Sequence, residues 1–287
     1  MDSIRLKARA KINLSLDVLG KREDGYHDVR MVMQTIGIYD RLIITKIPED
    51  EIRIQSNLFY LPINENNLIY KAAKLLKDEF GFAGGVDVNL NKFIPVAAGM
   101  AGGSTDAAST LFGINKIYEL GLSQNKLMEL GVQIGADVPY CIMRGTALAE
   151  GIGEQLSRLK PVPHMWIVVA KPPINISTKL VYEQLDMNDI LYHPNVDKMI
   201  QAINKESIEE IAANMGNVLE RVTIPLYPII DSIKNDMLSH GAINAMMSGS
   251  GPTVFGIFPN ERTALNCQAY LKLKKEAKQV YITETFN

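Results

Sequence analysis

The feature that most constrains this chain is a run of small residues set between a strand and a helix. Val86, Val88 and Leu90 alternate with Asp87 and Asn89, which reads as a strand. Ala107, Leu111, Ile114 and Tyr118 recur at helical spacing until Gly121 ends the run. Between them lies Pro95-Val96-Ala97-Ala98-Gly99-Met100-Ala101-Gly102-Gly103-Ser104-Thr105-Asp106. Strand, glycine-rich loop and helix aim several backbone N–H groups and a helix N-terminus at one point, a place for an anion and above all for phosphate. The plainer alternative is a tight turn whose glycines only supply positive φ, but the run is longer than a turn needs. It is not a Walker A motif, since no Gly-Lys-Ser/Thr follows, and it lacks the Rossmann spacing.

At 287 residues the chain is long enough for two modest domains. Its 30 Lys and Arg against 32 Asp and Glu leave no basic surplus, so no nucleic-acid or anionic-membrane partner is expected. No segment approaches the roughly 20 apolar residues of a membrane span. Near the N-terminus, Asp17 and the charged run Lys21 to Asp24 interrupt any apolar core, so no signal peptide is expected. Cys141 and Cys267 stand far apart and outside any Cys-x-x-Cys spacing, the pattern of a reduced, cytoplasmic protein. His27, His164, His193 and His240 show no ligand spacing, so a protein-bound transition metal is not expected.

Residues 11–18 alternate strictly, with Ile12, Leu14, Leu16 and Val18 on one face and Lys11, Asn13, Ser15 and Asp17 on the other. The polar face is either a solvated strand face or a functional one that sets Lys11 beside Asn13. Arg22-Glu23-Asp24-Gly25 makes a turn that returns Tyr26-His27 towards this strand, for packing or as a platform for a heterocycle. Strands are expected at 41–47 and 51–55, and a helix from Asn66 or Asn67 to Gly81. A short helix from Ser123 ends at Gly135-Ala136-Asp137-Val138-Pro139, where glycine and proline restrict the backbone around Asp137. That carboxylate either caps a neighbouring N–H or serves chemistry. Gly145 to Gly153 reads as a structural glycine-rich turn. Beyond a boundary near residue 153, a strand at 166–170 precedes helices at 178–185, 196–204, 208–219 and 225–238. Ser248-Gly249-Ser250-Gly251-Pro252 forms a second small-residue loop, and a strand at 253–258, a helix at 261–273 and a strand at 279–283 follow. The pattern suggests an α+β fold of two domains, 1–153 and 154–287.

These motifs converge on phosphoryl transfer. That reaction needs a cradle for the triphosphate, a cation at the developing charge, and a group to orient or deprotonate the acceptor hydroxyl. The loop at 95–106, Lys11 with Asn13, and Asp137 supply one of each. An exposed lysine is a point charge suited to phosphate.

The chain resembles the superfamily named for galactokinase, homoserine kinase, mevalonate kinase and phosphomevalonate kinase (GHMP). Three pieces match in order: Ala10-Lys11-Ile12-Asn13-Leu14, Pro95 to Ser104 with Gly99 and Ala101-Gly102-Gly103 inside, and Ser248-Gly249-Ser250-Gly251. Lys11-Ile12-Asn13-Leu14, Gly25-Tyr26-His27 and Gly135-Ala136-Asp137-Val138-Pro139 together are similar to the branch that acts on a cytidyl compound. The likeness runs from the N-terminus to at least residue 258. It implies transfer of the ATP γ-phosphoryl group to the 2-hydroxyl of a cytidine diphosphate methylerythritol; a homoserine- or mevalonate-type acceptor is the alternative.

By the same resemblance Asp137 is the catalytic base and Lys11 steers the hydroxyl, with Asn13 holding the substrate. Pro95, Val96, Ala97, Ala98, Gly99, Met100, Ala101, Gly102, Gly103, Ser104 and Thr105 wrap the ATP phosphates, Ser104 lying nearest Mg²⁺. Tyr26 and His27 recognise the cytidine, and Tyr182 stacks on its base. Ala97-Ala98 stand where many relatives carry more glycine. The implied fold is a ribosomal-S5-domain-2-like N-terminal domain with a left-handed crossover, followed by a ferredoxin-like C-terminal domain. A monomer or homodimer is expected.

Overall fold

The computed structural model describes all 287 residues. Two strands organise it. β1 (Ser3–Lys21) and β2 (His27–Ile47) are each about twenty residues long, far beyond the usual 5–6. Each runs through both compact units of the chain. The first unit is Met1–Ala10, Ile38–Val96 and Ala101–Arg144; the second is Lys11–Gly37, Ala97–Met100 and Gly145–Asn287. The units are thus interleaved in sequence, a different division from two halves meeting at residue 153.

In the first unit, β2 continues into β3 (Ile52–Ser56), α1 (Leu68–Phe80) and β4 (Gly85–Asn91). β4 pairs antiparallel with Arg41–Ile47 and parallel with β3, so α1 is the crossover between two parallel strands. The Asn67 side chain accepts the Ile69 N–H at the start of α1, and Gly81 closes its end in the left-handed conformation. α2 (Gly102–Ile117) follows the small-residue run, then α3 (Gln124–Val132) and α4 (Val138–Met143). α2 is buried almost all round, including Ala107, Ala108, Ser109 and Gly113. Its small residues permit close packing: a Cβ on Gly113 would sit 2.5 Å from Ile44 and 3.0 Å from Leu6.

In the second unit, β5 (Thr146–Glu150) pairs with Met31–Gln34 of β2 and with β6 (Gln155–Arg158). β7 (Trp166–Lys171), α5 (Thr178–Glu183), α6 (Val196–Asn204) and α7 (Ile208–Ala213) lead to β8 (Gly216–Asn217). That two-residue strand pairs parallel with Ser15 and Leu16 of β1. α8 (Glu220–Leu226), α9 (Ile229–Ser239), β9 (Asn244–Met247), β10 (Val254–Phe258), α10 (Glu261–Lys274) and β11 (Gln279–Glu284) complete the chain. The sheet order β11-β7-β10-β9, antiparallel throughout, has α9 and α10 packed against it. This is the split β-α-β pattern of a ferredoxin-like domain. No helix is long and apolar enough to cross a membrane.

Five expectations change. The polar face of β1 is not solvated: Lys11 and Asp17 are 5% exposed and Asn13 and Ser15 fully buried. The expected loop ends at Ala101, because Gly102 to Asp106 already form the first turn of α2; glycines there hide the helical period. The helix expected over 208–219 stops at Ala213. Asn214 folds its side chain back onto the Glu210 carbonyl, and Gly216 lies against Pro194 where a Cβ would crowd at 3.0 Å. The helix expected over 225–238 is instead α8 and α9, divided at Pro228, which opens α9. The segment 145–153 holds β5 as well as a turn, its unbroken apolar Ala147-Leu148-Ala149 masking the strand period.

Candidate active site

Burial turns Lys11 and Asn13 from a surface pair into a built one. Lys11 Nζ donates to Asn13 Oδ1 at 2.8 Å, and Asn13 Nδ2 donates to the Met31 sulfur at 3.1 Å. A two-residue spacing on a strand puts both side chains on one face. A lysine this deeply buried is retained at a desolvation cost that ordinary solubility does not explain.

The middle of the phosphate run lies in the same unit. Met100 accepts the Lys11 N–H at 3.2 Å, and the Gly99 carbonyl accepts the Ser248 hydroxyl at 2.9 Å. The two small-residue loops touch backbone to backbone: a Cβ on Gly99 would fall inside the Ser248 carbonyl, and one on Gly249 would lie 3.1 Å from Gly99 O. The second loop is held by Asn217, whose Nδ2 donates to the Met247 and Gly249 carbonyls, both at 2.8 Å, and whose Oδ1 accepts the Leu219 N–H. Ala97, Gly99 and Ala101 all have positive φ (50°, 69° and 55°). For the two alanines this costs about 1–2 kcal/mol each. Residues of alternating hand turn successive N–H groups to one side, the concavity that binds anions. Backbone strain of this kind is characteristic of ligand clamps.

In the first unit, the run leads into α2, at whose start no side chain makes a capping hydrogen bond. Gly103 is exposed and Ser104 half-buried there. The first N–H groups of a helix have no partner within it, so this end suits phosphate.

Asp137 precedes α4 at its N-cap position, yet its side chain makes no capping hydrogen bond. Its carbonyl instead accepts the Cys141 N–H at 3.1 Å, and Pro139 stiffens the turn. The Asp137 side chain is therefore not the cap of α4.

His27 and Tyr182 come together in the second unit, with Tyr26 next to His27 in the chain. His27 is buried, its ring 5.1 Å from the Tyr182 ring at 39°, while Tyr26 is 59% exposed. Asp24 accepts the Tyr26 N–H at 3.0 Å, and Gly25 turns the chain at φ 85°. Burial, and secondarily the Lys21 charge, lower the His27 pKa. A neutral imidazole keeps one nitrogen as acceptor and one as donor.

Two groups escaped the sequence reading. Asn217 sat inside a supposed helix. Lys92, Asp40 and Asp106 form a buried ionic cluster at the ends of the phosphate run; β2 carries several other polar residues, so no local pattern singles out Asp40.

Two family models match the chain, GHMP kinases N terminal domain over residues 67–145 and GHMP kinases C terminal over residues 199–277. With the fold, they define a GHMP kinase. The chain is 66% identical to the 4-diphosphocytidyl-2-C-methyl-D-erythritol kinase of Lachnospira eligens, over 100% of this chain and 99% of that one. It is 53% identical to the kinase of the same name from Lachnoclostridium phytofermentans, over 100% and 98%. A crystal structure of 4-(cytidine 5'-diphospho)-2C-methyl-D-erythritol kinase has a TM-score of 0.85 at 29% identity, covering 99% of this chain and 100% of that one. Homoserine kinase from Cytophaga hutchinsonii shares the fold, with a TM-score of 0.81 at 20% identity over 99% and 95%. The chain belongs to the 4-diphosphocytidyl-2-C-methyl-D-erythritol kinase family.

Proposed function

We propose that this protein transfers the γ-phosphoryl group of ATP to the 2-hydroxyl of 4-diphosphocytidyl-2-C-methyl-D-erythritol, a step of non-mevalonate isoprenoid biosynthesis. The observation that carries this reading is full-length identity with kinases named for that acceptor. GHMP kinases draw the phosphoryl group from ATP. The segment Pro95 to Thr105 suits its phosphates, with left-handed residues at 97, 99 and 101 and an uncapped α2. The Ser104 hydroxyl is the protein oxygen we assign beside Mg²⁺, whose charge would offset that of the phosphates.

Asp137 takes the proton of the acceptor hydroxyl as its oxygen attacks the γ-phosphorus. The bond from that phosphorus to the β–γ bridging oxygen breaks, and ADP leaves. Lys11, aimed by Asn13, places its ammonium charge beside the reacting oxygens, where a preorganised cation acts without reorganisation. Asn13 also orients the acceptor. Tyr26 and His27 recognise the cytidine, the neutral imidazole offering both a donor and an acceptor, and Tyr182 stacks on the base.

An ADP-release assay with the cytidyl substrate, homoserine and mevalonate, with and without Mg²⁺, tests the reading. The cytidyl substrate is expected to turn over fastest and only with Mg²⁺. Faster turnover of either other acceptor would overturn the assignment. Tyr182→Ala is expected to raise KM for the cytidyl substrate roughly 5- to 150-fold, since stacking a base on an aromatic is worth about 1–3 kcal/mol. An unchanged KM would remove Tyr182 from the site.

A further inference from the structure

The segment Gly216 to Glu220, which joins β8 to the start of α8, carries two polar side chains that the reaction scheme leaves unused. Asn217 is 7% exposed, and both its amide hydrogens and its oxygen have partners. Nδ2 donates to the Met247 and Gly249 carbonyls at 2.8 Å each, while Oδ1 accepts the Leu219 N–H at 3.0 Å. Three residues on, Glu220 Oε1 accepts the Met247 N–H at 2.8 Å, and its Oε2 accepts from Lys234 Nζ at 2.6 Å. Both backbone groups of Met247 are therefore held by side chains of one short segment. β9, which ends at Met247, is an edge strand of its sheet, so its outward N–H and C=O groups find no strand there to pair with.

What the segment grips is the root of the second small-residue loop. Ser248 donates its hydroxyl to the Gly99 carbonyl at 2.9 Å. Gly249 lies so close that a Cβ on it would stand 3.1 Å from Gly99 O and 3.7 Å from Asn13 Oδ1. Met100, next in the chain to Gly99, accepts the Lys11 N–H. The same segment is pinned to β1: Gly216 and Asn217 pair with Ser15 and Leu16, and the Val218 N–H donates to the Leu16 carbonyl at 3.0 Å. It thus ties the strand that bears Lys11 and Asn13 to the loop that backs Gly99.

We propose that Asn217 and Glu220 are positioning residues of the kinase, which set Ala97–Met100 of the phosphate run against Lys11 and Asn13. The inference rests on the reading of residues 95–105 as the ATP phosphate loop and of Lys11 as the cation at the reacting oxygens. Removing one partner of a buried hydrogen bond leaves the other unsatisfied, so a cut clasp lets the Met247 and Gly249 backbone shift in search of new partners. Gly99 has no slack to absorb that shift, since even a Cβ on it would fall inside the Ser248 carbonyl. Neither Asn217 nor Glu220 touches a substrate in this scheme; they act by placing backbone. Ser250, beyond the gripped residues, keeps its own hydroxyl contact with Thr178 at 2.8 Å, at the start of the helix that carries Tyr182. Cutting the clasp is therefore expected to disturb the ATP side and spare the cytidyl side.

The test measures steady-state kinetics for both substrates, and melting temperature, on four variants of the full chain. Asn217→Asp keeps the size and the oxygen facing Leu219, but it removes both donors and sets an oxygen against two carbonyl oxygens. It is expected to raise KM for ATP about tenfold or more and to lower kcat about fivefold or more, with KM for the cytidyl substrate within about threefold. Glu220→Ala removes the acceptor of the Met247 N–H and is expected to raise KM for ATP about three- to tenfold. Glu220→Gln retains an oxygen at that place and is expected to stay within about twofold of the parent in every constant. Leu271→Ala, in the buried face of α10, is the control for lost stability alone. It is expected to lower the melting temperature while both KM values stay within about twofold.

If Asn217→Asp melts lower but keeps KM for ATP and kcat within about twofold of the parent, the clasp is architecture only and the proposal falls. Equal rises in both KM values, or a Leu271→Ala control that shifts KM for ATP as far, overturn it as well. If Asn217→Asp does not fold, the Glu220 pair decides: Glu220→Gln as impaired as Glu220→Ala would trace the effect to the Lys234 ion pair and overturn the proposal. A parent protein that does not bind ATP in calorimetry would instead overturn the phosphate-loop reading itself.

Discussion

Asp137→Asn lowers kcat by about two to four orders of magnitude, the usual contribution of a positioned general base, with KM for both substrates within about threefold. Asparagine matches aspartate in size and serves equally well at the start of a helix. The Asp137 side chain makes no capping hydrogen bond, so the melting temperature should hold. Lost turnover with unchanged melting separates chemistry from architecture. A kcat within threefold of the parent would show that proton removal does not depend on this carboxylate.

Gly99→Ala has the second large effect, and it works through the backbone. The residue sits at φ 69°, and a Cβ there would enter the Ser248 carbonyl. Neither the chain before it nor the loop it meets can yield easily, because Ser248 is fully buried and bonds back to Gly99. The expected cost is about 3 kcal/mol, the scale of strain plus overpacking, or a fall in melting temperature of roughly 6–12 °C. KM for ATP rises at least tenfold, because the nest of N–H groups is displaced, while KM for the cytidyl substrate moves less. Calorimetry and ATP titration check both halves. A variant that melts and binds ATP like the parent would mean that the loop tolerates a side chain at its closest approach.

Much of the local pattern was legible in the residues. Strict alternation over 11–18 set Lys11 and Asn13 on one strand face, and the glycine and proline around Asp137 marked a constrained carboxylate. What alternation records is that a strand has two faces, not what covers them, so the burial of Lys11 and Asn13 emerged only from the fold. Asn217 shows the same limit: its three hydrogen bonds reach residues 219, 247 and 249, and no local period foretells such partners. The Lys92 cluster joins positions 52 and 14 apart along the chain. Asp106 is the one acid of α2, but β2 carries Asp28 as well as Asp40 among exposed and buried positions alike, so the sequence does not single the cluster out. The start of α2 was obscured for a different reason. Gly102 and Gly103 are poor helix formers, and tertiary packing decides their state.

The short strand β8 bears on how the chain is made. Ser15 and Leu16 wait for Gly216 and Asn217, which leave the ribosome about 200 residues later. At typical synthesis rates that is a delay of roughly 10–40 s. Throughout it, one edge of the strand that carries Lys11 and Asn13 has no permanent neighbour. A nascent chain halted near residue 153 would hold all of the first compact unit but only part of the second. The second unit is therefore expected to acquire this pairing late, after most of the sequence has left the ribosome.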